Sequence, residues 1–280
     1  MKLDMQKIYI DSRFRTANSK SEFDFNVELP RSFNVPDGVV AHIDDIVIPV
    51  SWSTVDERNN MCYVAFGGVS AGVRERSFTL ASGNYDGNAF GIALAAGLNT
   101  AIVGYSVVPV FACVYTQQDN QLKISFTDPR DSLIKAAAPF ILEIHTDAAN
   151  HLLMTHAHTA TTNTINTIIG NTYERLITEA APYKCYVDLF NTRNLYLTSS
   201  ALCSYDTVSN FGMDTIIKKI PCTTTYNHMI FQSSGSTLDG LDVSKRTLRF
   251  LDFRLVDSSF RTVPLQGNHF SFSIVFVQKN

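Results

Sequence analysis

Tryptophan occurs once in the 280 residues, and charged side chains make up only 18% of them. The 23 Lys+Arg set against 26 Asp+Glu give a formal charge of −3, so the chain has no overall positive excess with which to hold a polyanion. Paired cysteine motifs are missing as well. Cys62, Cys113, Cys185, Cys203 and Cys222 contain no CxxC, and an odd number cannot all pair within one chain, so reduced thiols are expected. No apolar run approaches the roughly 18 residues of a membrane-spanning helix. Residues 1–10 alternate Lys, Asp and Gln with apolar side chains, unlike the continuous apolar segment of a secretory leader. Synthesis in a cytosol-like compartment is the expectation. GxSxG, HExxH and GxxxxGK[ST] motifs are absent, as is any repeat of fixed period. The apolar content of 45%, with 11% aromatic residues, excludes intrinsic disorder.

What is present is two-residue alternation, which places one set of side chains on each face of a strand. Phe23, Phe25, Val27 and Leu29 alternate with Asp24, Asn26 and Glu28, predicting a half-buried strand with a wet outer face. Phe270, Phe272, Ile274 and Phe276 form one face of a second strand whose other face, ending in Val275 and Val277, is expected to be covered too. Leu248 and Phe250 are out of phase with Phe253 and Leu255, which predicts a bulge near Leu251 and Asp252. Shorter apolar runs recur, separated by turn formers such as Pro36-Asp37-Gly38 and Gln266-Gly267-Asn268. The chain therefore reads as mainly antiparallel β.

Helical spacing is confined to the middle. Phe90, Leu94 and Leu98 predict a helix over residues 88–100, and Asp147 is placed to cap a second over 148–155. The order is β, then a mixed α/β middle, then β again. The first β block holds only about four strands, fewer than the seven or eight of a sandwich. Both chain ends are thus expected to build one sandwich, residues 1–66 with 183–280, and the segment 67–182 is expected to be an inserted domain.

Few residues suggest chemistry. His151, His156 and His158, with His145 upstream, have loose spacing and no carboxylate or cysteine beside them, so a polar turn is favoured over a metal site. The neighbouring acids Asp44-Asp45 and the run Asp128-Pro129-Arg130-Asp131 do not hold two carboxyls across a cleft, as acid–base work requires. No catalytic, metal or cofactor residue is assigned. The first twenty residues carry a local charge of +3, an arm able to touch nucleic acid or an acidic neighbour. On an extended backbone Asp11, Arg13 and Arg15 share one side and become candidate assembly-arm residues, with mutual pairing the competing reading.

Several stretches resemble the penton proteins of virophages and of polinton-like or adinto-like viruses. They are Tyr9-Ile10-Asp11-Ser12-Arg13-Phe14-Arg15-Thr16 with Phe23-Asp24-Phe25-Asn26-Val27-Glu28-Leu29-Pro30, and Ile43-Asp44-Asp45-Ile46-Val47-Ile48-Pro49 with Ser51-Trp52 and Asn59-Asn60. Phe78-Thr79-Leu80 with Gly83-Asn84-Tyr85, residues 217–221 and 251–257, Leu265-Gln266-Gly267-Asn268 and Phe270-Ser271-Phe272 follow in the same order. The resemblance implies a single jelly roll with an inserted domain and no catalysis. Five copies would close each vertex of an icosahedral virion as a homopentamer, among trimers of a double-jelly-roll major capsid protein. The insertion would face outward toward a host or receptor ligand. Neither a membrane span nor sequence-specific nucleic acid enters this reading. Two alternatives compete: a carbohydrate- or receptor-binding sandwich, for which Trp52 looks half-buried, and a metal-dependent enzyme built on the histidines.

Overall fold

The computed structural model describes residues 6–68, 74–104, 108–137, 140–144, 165–169, 175–190, 192–204, 212, 214–233 and 240–278. The chain opens with β1 (Gln6–Asp11), a 3-10 turn (Ser12–Phe14), β2 (Asp24–Asn34) and β3 (Val39–Pro49). The middle holds β4 (Met61–Gly68), β5 (Arg74–Thr79), α1 (Gly87–Ala101), β6 (Val110–Thr116), β7 (Gln121–Thr127), α2 (Ser132–Ala137), β8 (Phe140–Ile144), α3 (Asn166–Ile169), β9 (Arg175–Ile177) and β10 (Tyr183–Tyr186). The last part adds β11 (Asn194–Thr198), β12 (Ile216–Pro221), β13 (Met229–Ser233), β14 (Leu241–Asp242), β15 (Thr247–Val256) and β16 (Ser271–Gln278).

Two compact units result, Met1–Trp52 with Thr192–Asn280, and Ser53–Asn191. The insert is therefore wider at both ends than the 67–182 expected from the sequence, and the strand ladders give the reason. β4 pairs with β5 and β8, and β10 pairs with β7, so both strands belong to the insert. Local apolar pattern does not reveal which sheet a strand joins.

In the first unit one sheet runs β1-β16-β3-β13, with β14 also on β3, and the other runs β12-β11-β15-β2. Every ladder is antiparallel. Taken in chain order, the first strand pairs with the last, the second (β2) with the last but one (β15), β3 with β13, and β11 with β12. That nesting is one long antiparallel ribbon rolled up, the connectivity of a jelly roll. The insert leaves between β3 and β11.

Period-two patterning explains why these strands stack. Phe25 and Leu29 of β2 turn inward with Leu248, Leu251, Phe253 and Leu255 of β15, and meet Ile46 and Ile48 of β3 and Phe272, Ile274 and Phe276 of β16. Phe253 touches Phe25 at 5.6 Å and Phe272 at 4.8 Å between ring centroids. Each fully buried side chain of this size contributes roughly 1.5–3 kcal/mol by leaving water. The irregularity predicted near Leu251 and Asp252 lies earlier, where the register against β2 shifts between Leu248 and Phe250, and the extra residues are on β2: residues 29–32 stand against Arg249 alone. Beyond the shift Phe250 is exposed and Leu251 buried, so Phe250 does not share the inward face of Leu248. A second shift, between Phe272 and Ile274, sets Asp44 and Asp45 of β3 against the single residue Ser273, whose buried hydroxyl donates to Asp45.

The insert has its own core, with sheets β10-β7-β6 and β5-β4-β8-β9. α1 matches the predicted helix; the Asp86 carboxylate accepts from the Ala89 N–H at 2.7 Å and caps it. Phe90, Leu94 and Leu98 are its buried stripe. Gly91 lets the helix rest on β6, since a Cβ there would lie 2.9 Å from the Cys113 carbonyl oxygen. Asn99 completes that seam by accepting from the Phe111 N–H at 2.8 Å and donating to its carbonyl at 3.0 Å, taking the place of a neighbouring strand. The predicted helix at 148–155 falls outside the described residues.

Candidate functional site

The basic arm is built into the jelly roll. Ile8 and Ile10 alternate with Lys7 and Tyr9, so residues 6–11 form edge strand β1, paired with β16 from Gln6↔Phe276 to Asp11↔Ser271. Extended backbone ends there. Ser12 is fully buried: its N–H donates to the Phe270 carbonyl at 3.0 Å and its hydroxyl accepts from the Phe270 N–H at 3.1 Å. That anchor starts the 3-10 turn, which Asp11 caps by accepting from the Arg13 N–H at 2.9 Å.

Mutual pairing of the arm residues is therefore realised. The Arg13 guanidinium forks onto Asp11, Nη2 to Oδ2 at 2.5 Å and Nε at 3.0–3.1 Å, and this holds the Asp11 carboxyl below the usual carboxylate range. Arg15 does not join them; its Nη1 donates to the Ser12 carbonyl at 3.1 Å. Lys7 reaches Asp44 at 2.7 Å, a hydrogen bond that raises the ammonium's pKa, and it sits 5.2 Å from the Tyr9 ring centroid. Asp44 and Asp45 thus serve different partners, Lys7 and Ser273.

Sequence reasoning missed the aromatics around these charges. Tyr9 is 76% exposed and Phe14 77%. At the opposite edge of the same sheet, Met229 and Phe231 of β13 are 55% and 67% exposed, alternating with buried Ile230. The signal was present in the alternation itself, which puts Tyr9 on the outward side of a strand whose inward side is Ile8 and Ile10. Trp52, by contrast, is buried at 5% exposure in the jelly-roll core, and so supplies no aromatic platform.

The remaining candidates resolve into structure. Asp128 is nearly inaccessible and held below its ordinary pKa by Arg130, whose Nη2 lies 2.6 Å away. It lines an insert cavity of about 430 Å³ floored by Phe126 and Phe140 and walled by Lys135 and Glu179, themselves paired at 3.0 Å. Asp131 accepts from the Leu133 N–H in the first turn of α2. Cys62, Cys113 and Cys185 meet in the insert core, where burial pushes their thiols up, to about 12 for Cys113 and Cys185. Among the described residues no group of three His, Cys, Asp or Glu is disposed to hold a metal. His145, His151, His156 and His158 lie outside them.

Two solved structures are similar to this chain. The selenomethionine-labelled crystal structure of the mavirus penton protein matches with a TM-score of 0.56 and 11% identity, over 97% of this chain and 99% of that one. The chain shares that fold. A chain in the cryo-electron-microscopy structure of the Sputnik virophage matches over 98% of both lengths at 12% identity, with a TM-score of 0.46. No protein-family model matches the sequence, and no curated protein does. The penton-like jelly roll with an insert, expected from the resemblance of the sequence, is the fold the chain adopts.

Proposed function

We propose that this protein is a structural subunit of an icosahedral virion and closes its fivefold vertices as a homopentamer. The observation that carries the reading is the jelly roll made from both chain ends and interrupted between β3 and β11, a fold shared over 97% of the chain with the mavirus penton protein. A vertex subunit needs shape and contact surfaces, not a reaction. Its ring is a heterologous contact, one flank of each copy meeting the opposite flank of the next. The protein's partners are then itself and a double-jelly-roll major capsid protein, its place is the virion, and the insert presents a surface to a host or receptor ligand. Asp11, Arg13 and Arg15 act as a folded anchor of the β1 edge instead of a loose arm.

Electron microscopy and light scattering of the purified chain, alone and mixed with the major capsid protein, test this. Five-membered rings, or incorporation at shell vertices, are expected. A persistent monomer with no affinity for the shell protein sinks the reading.

A further inference from the structure

The two outer edges of the β1-β16-β3-β13 sheet form a complementary pair. Among the described strands β1 pairs only with β16, and β13 only with β3, so each edge presents an unpaired row of backbone groups. An edge that stays alone in solution is ordinarily short, charged or covered. Here each carries large exposed apolar side chains, Tyr9 and Phe14 on one side and Met229 and Phe231 on the other. Sequence charge differs as well: the first twenty residues carry +3, with Lys7, Arg13 and Lys20 facing Asp44, Asp11 and Asp24, whereas residues 220–244, which include β13 and β14, hold two aspartates and neither lysine nor arginine. Three successive antiparallel pairings link the flanks through β16 and β3, so β1 and β13 run in opposite directions. A second copy placed beside the first by rotation about an axis along the strands brings its β13 antiparallel to β1.

We propose that the ring contact is made by β1 and its 3-10 turn on one copy against β13 of the next, with Tyr9 and Phe14 meeting Met229 and Phe231. The occupant of each edge is a second copy of this chain. This inference rests on the vertex-subunit reading and adds the surface that makes the ring. The contact is head-to-tail, so each flank is used once per copy, and the chain of contacts closes when successive copies are related by a pure rotation of one fifth of a turn.

Short bismaleimide cross-linking of full-length Tyr9→Cys and Phe231→Cys variants separates the outcomes, with the parent protein and its five native thiols as background. A mixture of the two variants is expected to give cross-linked dimers that neither gives alone, and the double variant a ladder ending at five. The pair Tyr9→Ser and Phe231→Ser should weaken association roughly thirtyfold by sedimentation, as loss of buried aromatic anchors does, while circular dichroism stays unchanged because both side chains are exposed. Cross-links within one variant alone, or to the major capsid protein only, overturn the assignment. Rings that form but neither cross-link at these positions nor respond to the serine pair overturn it and leave the vertex reading standing. Failure of the parent protein to form rings, alone or with the shell protein, removes both.

Discussion

In the jelly roll the apolar faces are carried by long strands, 11 residues in β2 and in β3 and 10 in β15. In the insert, strands of three to eight residues are gathered around a helix whose glycines admit the Cys113 carbonyl at Gly91 and the Tyr115 and Phe78 rings at Gly87 and Gly97. Alternation over a long strand specifies a face many times over, so a register shift such as that between Leu248 and Phe250 is absorbed locally. A helix seated through Gly91 and Asn99 depends on a few close approaches. The first design tolerates irregularity along a strand, and the second tolerates little change at a point.

The largest test is to open each core separately. Phe253→Ala in the jelly roll and Phe66→Ala in the insert each remove a ring under 2% exposed, at an expected cost of about 3–5 kcal/mol. Calorimetry and hydrogen exchange should show each change confined to its own unit; a single shared transition shifted equally by both breaks the comparison.

A smaller effect sharpens it. Gly91→Val drives side-chain carbon toward the Cys113 carbonyl and Leu122, and overpacking of this kind should cost the insert about 1–3 kcal/mol. Gly83→Ala, whose Cβ would lie an ordinary 3.6 Å from the Tyr85 ring, should be close to neutral by the same denaturation curves.

The smallest concerns pH. Asp128 has a depressed folded-state pKa through Arg130, so its contribution is present above the unfolded carboxylate pKa near 4 and is lost as pH falls through the folded value. The stability gap between the parent protein and Asp128→Asn should stay constant from about pH 5 to 8 and narrow on acidification. A gap that widens in acid contradicts the pairing.

Much of this fold was legible because its signals are local. The Phe23-to-Leu29 alternation and the Phe90/Leu94/Leu98 spacing read directly as a strand and a helix. The affiliation of β4 was not legible, because an apolar run of eight residues looks the same in either unit and only its ladders to β5 and β8 decide. The thiol cluster was invisible for the same reason: Cys62, Cys113 and Cys185 are far apart in sequence and meet through β4, β6 and β10. Asp11 and Arg13 pair as the competing reading of the arm residues had it and Arg15 does not, because that reading assumed an extended chain and the burial of Ser12 turns the backbone at that point.

The position of β16 sets the order in which the molecule becomes complete. It lies between β1 and β3, so among the described strands β1 has no partner, and β3 has partners on one side only, until residues 271–278 have been made. The insert is synthesised whole before that moment and can fold first. A polypeptide halted before residue 271 lacks the strand that joins β1 to the rest of this sheet.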